Sequence, residues 1–200
     1  MTTTAAYTAR AVEYAEVLGS MAAVHPSDRD LVEWWARQVS DPVLDAGCGP
    51  GHWTAHLASL GVEVRGIDLV PAFVDHARRR FPGVRFDQGS IDDLDEPDAS
   101  YGGVLSWFST IHHAPETIGA PLAEFRRVLR PGGLLALGFF SGPAVEPFEH
   151  AVTRAYRWPV APLRALLDAA GFDVIEVHVR EEPGARPVGA IIAERRGDGC

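Results

Sequence analysis

Three glycines and a distant carboxylate are the residues of this chain best suited to binding a small molecule. Gly47, Gly49 and Gly51 follow a short apolar run that begins at Val43, and a helical pattern comes next. This order of strand, turn and helix is typical of loops that bind a phosphate or a nucleoside. Because glycine has no Cβ, such a loop can turn sharply and present its N–H groups to a carboxylate. Asp68 lies 21 residues after Gly47, at the end of the next apolar run, where an acid can accept both hydroxyls of a ribose.

The spacing of the glycines argues against a dinucleotide. A dinucleotide fingerprint has Gly or Ala three residues after its second glycine, where helix and strand pack closely above a pyrophosphate. His52 occupies that position here. An alternative role for Asp68 is to cap the helix that Pro71 opens. Strand end, spacing and glycine loop together favour the ribose.

Five segments carry further motifs in a fixed order. The first, VLDAGCGPG at 43–51, has the form hydrophobic-Asp-x-Gly-x-Gly-x-Gly, and the others lie at 64–68, 84–91, 104–113 and 125–135. This ordered set resembles the class I S-adenosylmethionine-dependent methyltransferases of the small-molecule type. One glycine motif alone would be weak evidence, whereas five motifs in order are specific. The resemblance implies S-adenosyl-L-methionine as cofactor and S-adenosyl-L-homocysteine as product.

The order of apolar runs and helical patterns along the chain predicts an α/β fold. Apolar runs alternate with helical patterns from residue 43 onward, which indicates a parallel sheet. The last two runs, 172–179 and 188–193, are too close for a helical crossover and should pair antiparallel. We therefore expect a three-layer, Rossmann-like, mostly parallel sheet of seven strands whose last strand pair is antiparallel, preceded by an N-terminal helical cap.

A single methyltransferase domain over residues 1–200 is the expected organisation. Its parts are a helical cap at 1–40, with a second helix capped by Ser27 or Asp28, and a cofactor-binding core at 43–195. The stretch 141–158 is a candidate substrate lid, because loops longer than about 12–15 residues in compact domains tend to be functional. Its charged residues allow an alternative, an amphipathic helix that only faces solvent.

The resemblance assigns the remaining cofactor contacts. Asp45 would hold the loop and the ammonium of the methionyl group, although bonds to loop amides alone would also explain it. Cys48 lies inside the loop. Leu69 would stack on the adenine, and the loop with Ser90 and Ile91 would surround it.

Two aromatic residues complete the expected cofactor site. Trp107, at the exit of the fourth strand, would lie near the sulfonium with Phe108 beside it, although packing alone is the commoner role of such a ring. Tyr14 resembles an N-terminal aromatic residue that covers the methionyl end of the cofactor in related enzymes.

His112 and His113 are the candidate catalytic residues. The expected reaction is in-line transfer of a methyl group to an oxygen, nitrogen or carbon nucleophile, for which alignment is the main requirement. A base is optional, and a histidine at the exit of the fourth strand could act as one. A helix cap before Pro115, or packing beside the cofactor, are the alternatives for both.

Composition excludes several classes of protein. All 18 basic residues are arginine, and with 27 acidic residues the net charge is −9. Without lysine, Schiff-base chemistry and the Walker lysine are ruled out, and an acidic chain is not expected to bind nucleic acid. The two cysteines exclude a disulfide framework. We expect no metal, no membrane segment and, by default, a cytoplasmic location; the small-molecule acceptor and the oligomeric state stay unidentified.

Two other functions remain open. A non-catalytic module that binds S-adenosylmethionine or a nucleoside would carry the same glycine loop and Asp68. A nicotinamide-dependent oxidoreductase would share the fold, but the glycine spacing counts against it.

Overall fold

The computed structural model describes residues 19–40, 42–151 and 153–197. These residues contain nine strands and five α-helices. The strands are β1 Val43–Ala46, β2 Val64–Asp68, β3 Arg85–Gln88, β4 Tyr101–Trp107, β5 Leu129–Ser141, β6 Glu146–Phe148, β7 Ala155–Trp158, β8 Phe172–Arg180 and β9 Val188–Arg195. The α-helices are α1 Pro26–Ala36, α2 His52–Ser59, α3 Pro71–Arg80, α4 Gly119–Val128 and α5 Val160–Ala169, with a short 3-10 helix at Met21–Ala23.

The sheet is parallel in the order β3-β2-β1-β4-β5. Strand β9 runs antiparallel to residues 134–140 of β5, and β8 pairs antiparallel with β9. The predicted fold class is confirmed, and all seven predicted strands are present. Because the strand order reverses between β1 and β4, a crevice opens at the carboxyl ends of these strands.

Helices cover both faces of the sheet. Val43 and Leu44 are adjacent on β1, so their side chains point to opposite faces, and they belong to different apolar clusters. Val43 packs with α1 and α2, through residues that include Trp35 and Leu57. Leu44 packs with α4 and α5, through residues that include Phe125 and Leu163.

The N-terminal part of the chain differs from its prediction. Helix α1 is not capped by Ser27 or Asp28: His25 is the N-cap, its Nδ1 accepts the N–H of Ser27 at 3.2 Å, and Pro26 is the first helical residue. Pro at this position is pre-organised for helix and lacks the N–H that would be unsatisfied. The other predicted cap helix lies outside the described residues.

Segment 141–158 contains two short strands that the sequence analysis did not predict. Strands β6 and β7 form an antiparallel hairpin, and β7 pairs parallel with the last two residues of β5. The alternative of an amphipathic helix is therefore wrong here. The physical reason is the length of β5, whose end extends past β4 and offers a free edge to β7. No helix among the described residues is both long and apolar enough to cross a membrane.

Candidate cofactor and acceptor site

A cavity of about 330 Å³ opens at the carboxyl ends of β1, β2 and β4. This size falls in the range of roughly 300–1,000 Å³ typical of small-ligand pockets. Nine of the predicted site residues line it: Gly47, Gly49, Asp68, Leu69, Ser90, Ile91, Trp107, His112 and His113. Residues 45, 48 and 51 lie behind this wall, and Tyr14 lies outside the described residues. Sequence reasoning did not assign Val70, Phe73 or Ser109, which also line it; their only signal is their position just after β2 and β4.

The glycine loop requires glycine for two different reasons. Gly47, Gly49 and Gly51 have φ of 81°, 52° and 86°, a left-handed conformation that disfavours residues with a Cβ. A Cβ on Gly47 would lie 2.3 Å from the Cβ of Ser109. Because Gly47 has no Cβ, the loop can approach the turn that follows β4. The cavity between the loop and this turn is therefore narrow.

Asp68 joins the loop to the next helix. Its Oδ2 accepts the N–H of Gly49 at 2.8 Å, and its Oδ1 accepts the N–H of Val70 at 2.8 Å. Burial raises the pKa of this carboxyl, and the two N–H donors partly offset the rise. The N-cap of α3 is Val70, so Asp68 does not cap that helix. Each carboxylate oxygen can accept a second hydrogen bond, and Asp68 lines the cavity.

Asp45 is buried behind the loop. The hydroxyl of Thr54, on α2, donates to its Oδ2 at 2.6 Å, so the acid fixes this helix to β1. Burial raises the pKa of Asp45 to about 7, although the Thr54 hydrogen bond acts in the opposite direction. A contact with the ammonium of a methionyl group stays a prediction.

Cys48 has a buried side chain. Burial, together with the charges of Asp45 and Asp68, raises the pKa of its thiol well above the usual value. A thiol in this state is a poor nucleophile. Its role is in the backbone: the N–H groups of Gly47 and Cys48 both donate to the carbonyl of Ile67, at 2.9 and 2.8 Å, and so hold the loop against β2.

Apolar side chains form the side of the cavity predicted for adenine. Leu69 is 47% exposed although it is large and apolar, and it faces the cavity together with Ile91. The hydroxyl of Ser90 accepts the N–H of Asp92 at 3.2 Å, which fixes the loop after β3. An open apolar surface of this kind suits one face of a planar ring.

Trp107 and Phe108 form the wall at the exit of β4. Their ring centroids lie 5.8 Å apart in an edge arrangement. Phe108 has a φ of 59°, a conformation that costs a residue with a side chain of order 1–3 kcal/mol and clusters at functional sites. A Cβ on Gly138, in the neighbouring β5, would lie 3.1 Å from atoms of both rings. Gly138 therefore leaves the room in which both rings sit.

His112 and His113 are held differently. The Nδ1 of His112 donates to the carbonyl of Arg154 at 2.7 Å, and burial lowers the pKa of this ring. The Nε2 of His113 lies 2.8 Å from Asp92 Oδ1 and its Nδ1 lies 3.3 Å from the carbonyl of Thr110. Helix α4 begins at Gly119 with Ile118 as N-cap, so neither histidine caps it.

The acidic stretch after Ser90 does not form a metal site within the described residues. Three of its acids have basic or histidine partners: Asp92 contacts His113, Glu96 pairs with Arg65, and Asp98 pairs with Arg127 at 2.8 Å. The segment therefore supports the site from the cavity lining at Asp92 outward.

Known proteins with similar sequences include several methyltransferases. Residues 43–133 match the family described as "Methyltransferase domain". A demethylmenaquinone methyltransferase of Beutenbergia cavernae is 32% identical over 154 residues, which cover 76% of this chain and 63% of that protein. A probable S-adenosylmethionine-dependent methyltransferase of Mycolicibacterium smegmatis is 36% identical over 137 residues, 66% of this chain and 52% of that protein. The chain thus spans between half and two thirds of the length of these curated relatives.

Solved structures agree in fold. The 1,6-didemethyltoxoflavin-N1-methyltransferase of Burkholderia thailandensis, solved with 1,6-didemethyltoxoflavin and S-adenosylhomocysteine, superposes with a TM-score of 0.77 at 24% identity, over 96% of this chain and 88% of that one. The glycine loop, Asp68 and the strand order occur together in this chain as the sequence motifs predict. The chain is therefore similar in sequence and in fold to S-adenosylmethionine-dependent methyltransferases.

Proposed function

We propose that this chain transfers a methyl group from S-adenosylmethionine to an oxygen, nitrogen or carbon atom of a small molecule and releases S-adenosylhomocysteine. The observation that carries the proposal is one cavity in which Gly47, Gly49, Asp68 and His112 meet. The cofactor supplies an activated methyl group when bound. The new bond to the acceptor forms as the bond from this methyl carbon to sulfur breaks, and the acceptor's proton leaves to a base or to water.

The residues present fit such a cofactor. The narrow gap at Gly47, which a Cβ would close, lets a ligand lie directly against the backbone of the loop. Asp68 offers acceptors for two ribose hydroxyls, and Leu69 with Ile91 offers an apolar face for adenine. Trp107 and Phe108 then border the place where acceptor and methyl group must be aligned, and tight alignment is worth up to roughly 7–11 kcal/mol.

His112 is the better placed of the two candidate bases. A carbonyl oxygen can only accept a hydrogen bond, so the Nδ1 of His112 is protonated and donates to the carbonyl of Arg154. The neutral ring therefore has its lone pair on Nε2. The lowered pKa keeps the ring neutral at pH 7. His113 contacts Asp92 and the Thr110 carbonyl with its two ring nitrogens, which suits a positioning role.

Segment 141–158 is proposed to support His112 within a single methyltransferase domain. The N–H of Tyr156 donates to the carbonyl of Ile111 at 2.8 Å. The ring of His150 lies 5.6 Å from that of His112. The hairpin is thereby attached to the exit of β4 at the point where His112 meets the cavity. Within the hairpin, Glu146 pairs with Arg157 at 3.1 Å.

Calorimetry with S-adenosylhomocysteine and, separately, with NADH tests the cofactor. We expect binding of the first and none of the second; the reverse would support an oxidoreductase. Turnover is then tested with radiolabelled S-adenosylmethionine and a panel of acceptors. Cofactor binding without transfer to any acceptor would leave the non-catalytic module as the function.

A further inference from the structure

A second cavity, of about 420 Å³, shares the rings of Trp107 and Phe108 with the first. It lies between the start of α1 and the end of the β8–β9 hairpin, and it has an apolar floor that includes Leu31, Val179 and Val188. The cofactor cavity measures about 330 Å³, which is near the lower limit for one drug-sized ligand. A cofactor and an acceptor therefore need more room than the first cavity provides, and the adjoining space is lined by the same two rings.

Val179 is unusual for a residue in this position. It is 48% exposed although it is β-branched and apolar, and it faces the cavity rather than packing under a helix. Exposed apolar side chains that line a concave surface are typical of ligand sites.

The charges around the second cavity disfavour anionic ligands. Two carboxylates, Asp28 and Glu181, and one guanidinium, Arg180, line it, so with histidine counted as neutral the lining carries a net charge of −1. The guanidinium is already paired: Arg180 lies 2.9 Å from Asp28 and 3.5 Å from Glu182. An anionic ligand would meet a net negative wall whose only lining arginine is engaged with carboxylates.

We infer that this second cavity binds the methyl acceptor, and that the acceptor is an uncharged, largely apolar ring compound rather than a carboxylate. The inference rests on the proposed function. Trp107 and Phe108 contact the acceptor's ring, and Val179 and its apolar neighbours form the floor. Glu181 excludes anionic competitors.

The test uses the full chain saturated with S-adenosylhomocysteine, titrated by calorimetry with 2-naphthol and with 2-naphthoate. These probes share a ring system and differ in charge at neutral pH. We expect 2-naphthol to bind at least about tenfold more tightly, a difference of about 1.4 kcal/mol. Equal binding, or tighter binding of 2-naphthoate, would overturn the inference about charge. Failure of S-adenosylhomocysteine to bind in the first step would count against the proposed function instead.

Two variants locate the binding site. Val179→Trp fills the cavity and should weaken 2-naphthol binding by about tenfold or more, whereas Ile175→Trp, on the same strand, equally exposed at 52% and outside the lining, should leave it unchanged. Unchanged binding in Val179→Trp would place the acceptor elsewhere. Glu181→Arg, at an exposed position, should narrow the preference for 2-naphthol over 2-naphthoate, and an unaltered ratio would remove Glu181 from the site. Retained S-adenosylhomocysteine affinity shows that each variant is folded.

Discussion

The carboxylate of Asp68 accepts the backbone N–H of Gly49 at 2.8 Å, across 19 residues of sequence. This bond ties the end of β2 to the middle of the glycine loop, which follows the neighbouring strand. A second bond, to the N–H of Val70 at 2.8 Å, ties the same carboxylate to the start of α3. The acid that would hold a ribose is thus also the link between the two loops that surround it, so cofactor binding and loop geometry depend on one side chain.

Asp68→Asn should weaken S-adenosylhomocysteine binding by roughly 10- to 100-fold. The amide keeps the shape of the side chain but replaces one acceptor oxygen by a donor that faces a backbone N–H, and hydrogen bonds to charged groups contribute about 1.5–3 kcal/mol. Calorimetry measures the change. Asp87→Asn is the control, because Asp87 is the matching acid on β3 and pairs with Arg65 outside the cavity. Equal affinities in both variants would contradict the role of Asp68.

Gly47→Ala should reduce both stability and cofactor affinity. Alanine at a φ of 81° costs about 1–2 kcal/mol, and its Cβ would also overlap Ser109 at 2.3 Å. Gly61→Ala separates these effects, because Gly61 has a φ of 87° with open space around it. We expect Gly61→Ala to lower the melting temperature by a few degrees without changing S-adenosylhomocysteine affinity. A Gly47→Ala variant that binds as well as Gly61→Ala would show that the loop tolerates displacement.

The sequence predicted that the glycine loop and the acid at the end of β2 meet, because this part of the candidate site depends on local patterns. Left-handed glycines and an acid at a strand end are visible as residue types at fixed spacing, and the structure brings Gly47, Gly49 and Asp68 to one cavity. The helix-cap alternative for Asp68 was wrong because Val70, two residues further on, is the N-cap. A shift of two residues of this kind cannot be read from residue types alone.

The proposed acceptor half could not be predicted because it depends on contacts between distant segments. The left-handed backbone of Phe108 has no signal in its residue type, since a phenylalanine normally avoids that conformation. Strand β7 exists because the end of β5 offers it an edge, and Arg180 meets Asp28 across 152 residues. Pairings of this range follow from the assembled sheet, and Tyr14 stays a prediction outside the described residues.

Asp45 should make the protein less stable as the pH rises. Its pKa is 3.8 in a model peptide and about 7 when buried in the fold, so between these values the unfolded chain releases a proton that the folded chain keeps. Stability therefore falls as pH increases from about 4 to about 7 and then stays constant with respect to this group. Asp45→Asn removes the effect, because an amide does not ionise yet can still accept the hydroxyl of Thr54.

The measurement is the free energy of unfolding of wild type and Asp45→Asn at pH 5 and pH 8. The gain of the variant over wild type should be larger at pH 8 by about 2–3 kcal/mol, from roughly two pKa units at about 1.4 kcal/mol each. Using the difference between the two proteins cancels the titration of all other groups. A gain that is the same at both pH values would mean that Asp45 ionises in the fold as it does in water.

His112→Ala should lower kcat by about 10²–10⁴-fold if the acceptor must lose a proton in the rate-limiting step. Because burial lowers the pKa of His112, the wild-type rate should stay level as pH falls from 8 to 6.5, the ordinary pKa of histidine, and decline only below it. His113→Ala should cause a smaller loss, through release of Asp92, and should keep the wild-type pH profile. Turnover measured across this pH range separates the two residues. A His112→Ala variant with full turnover and the same profile would leave alignment between Trp107 and Phe108 as the source of the rate.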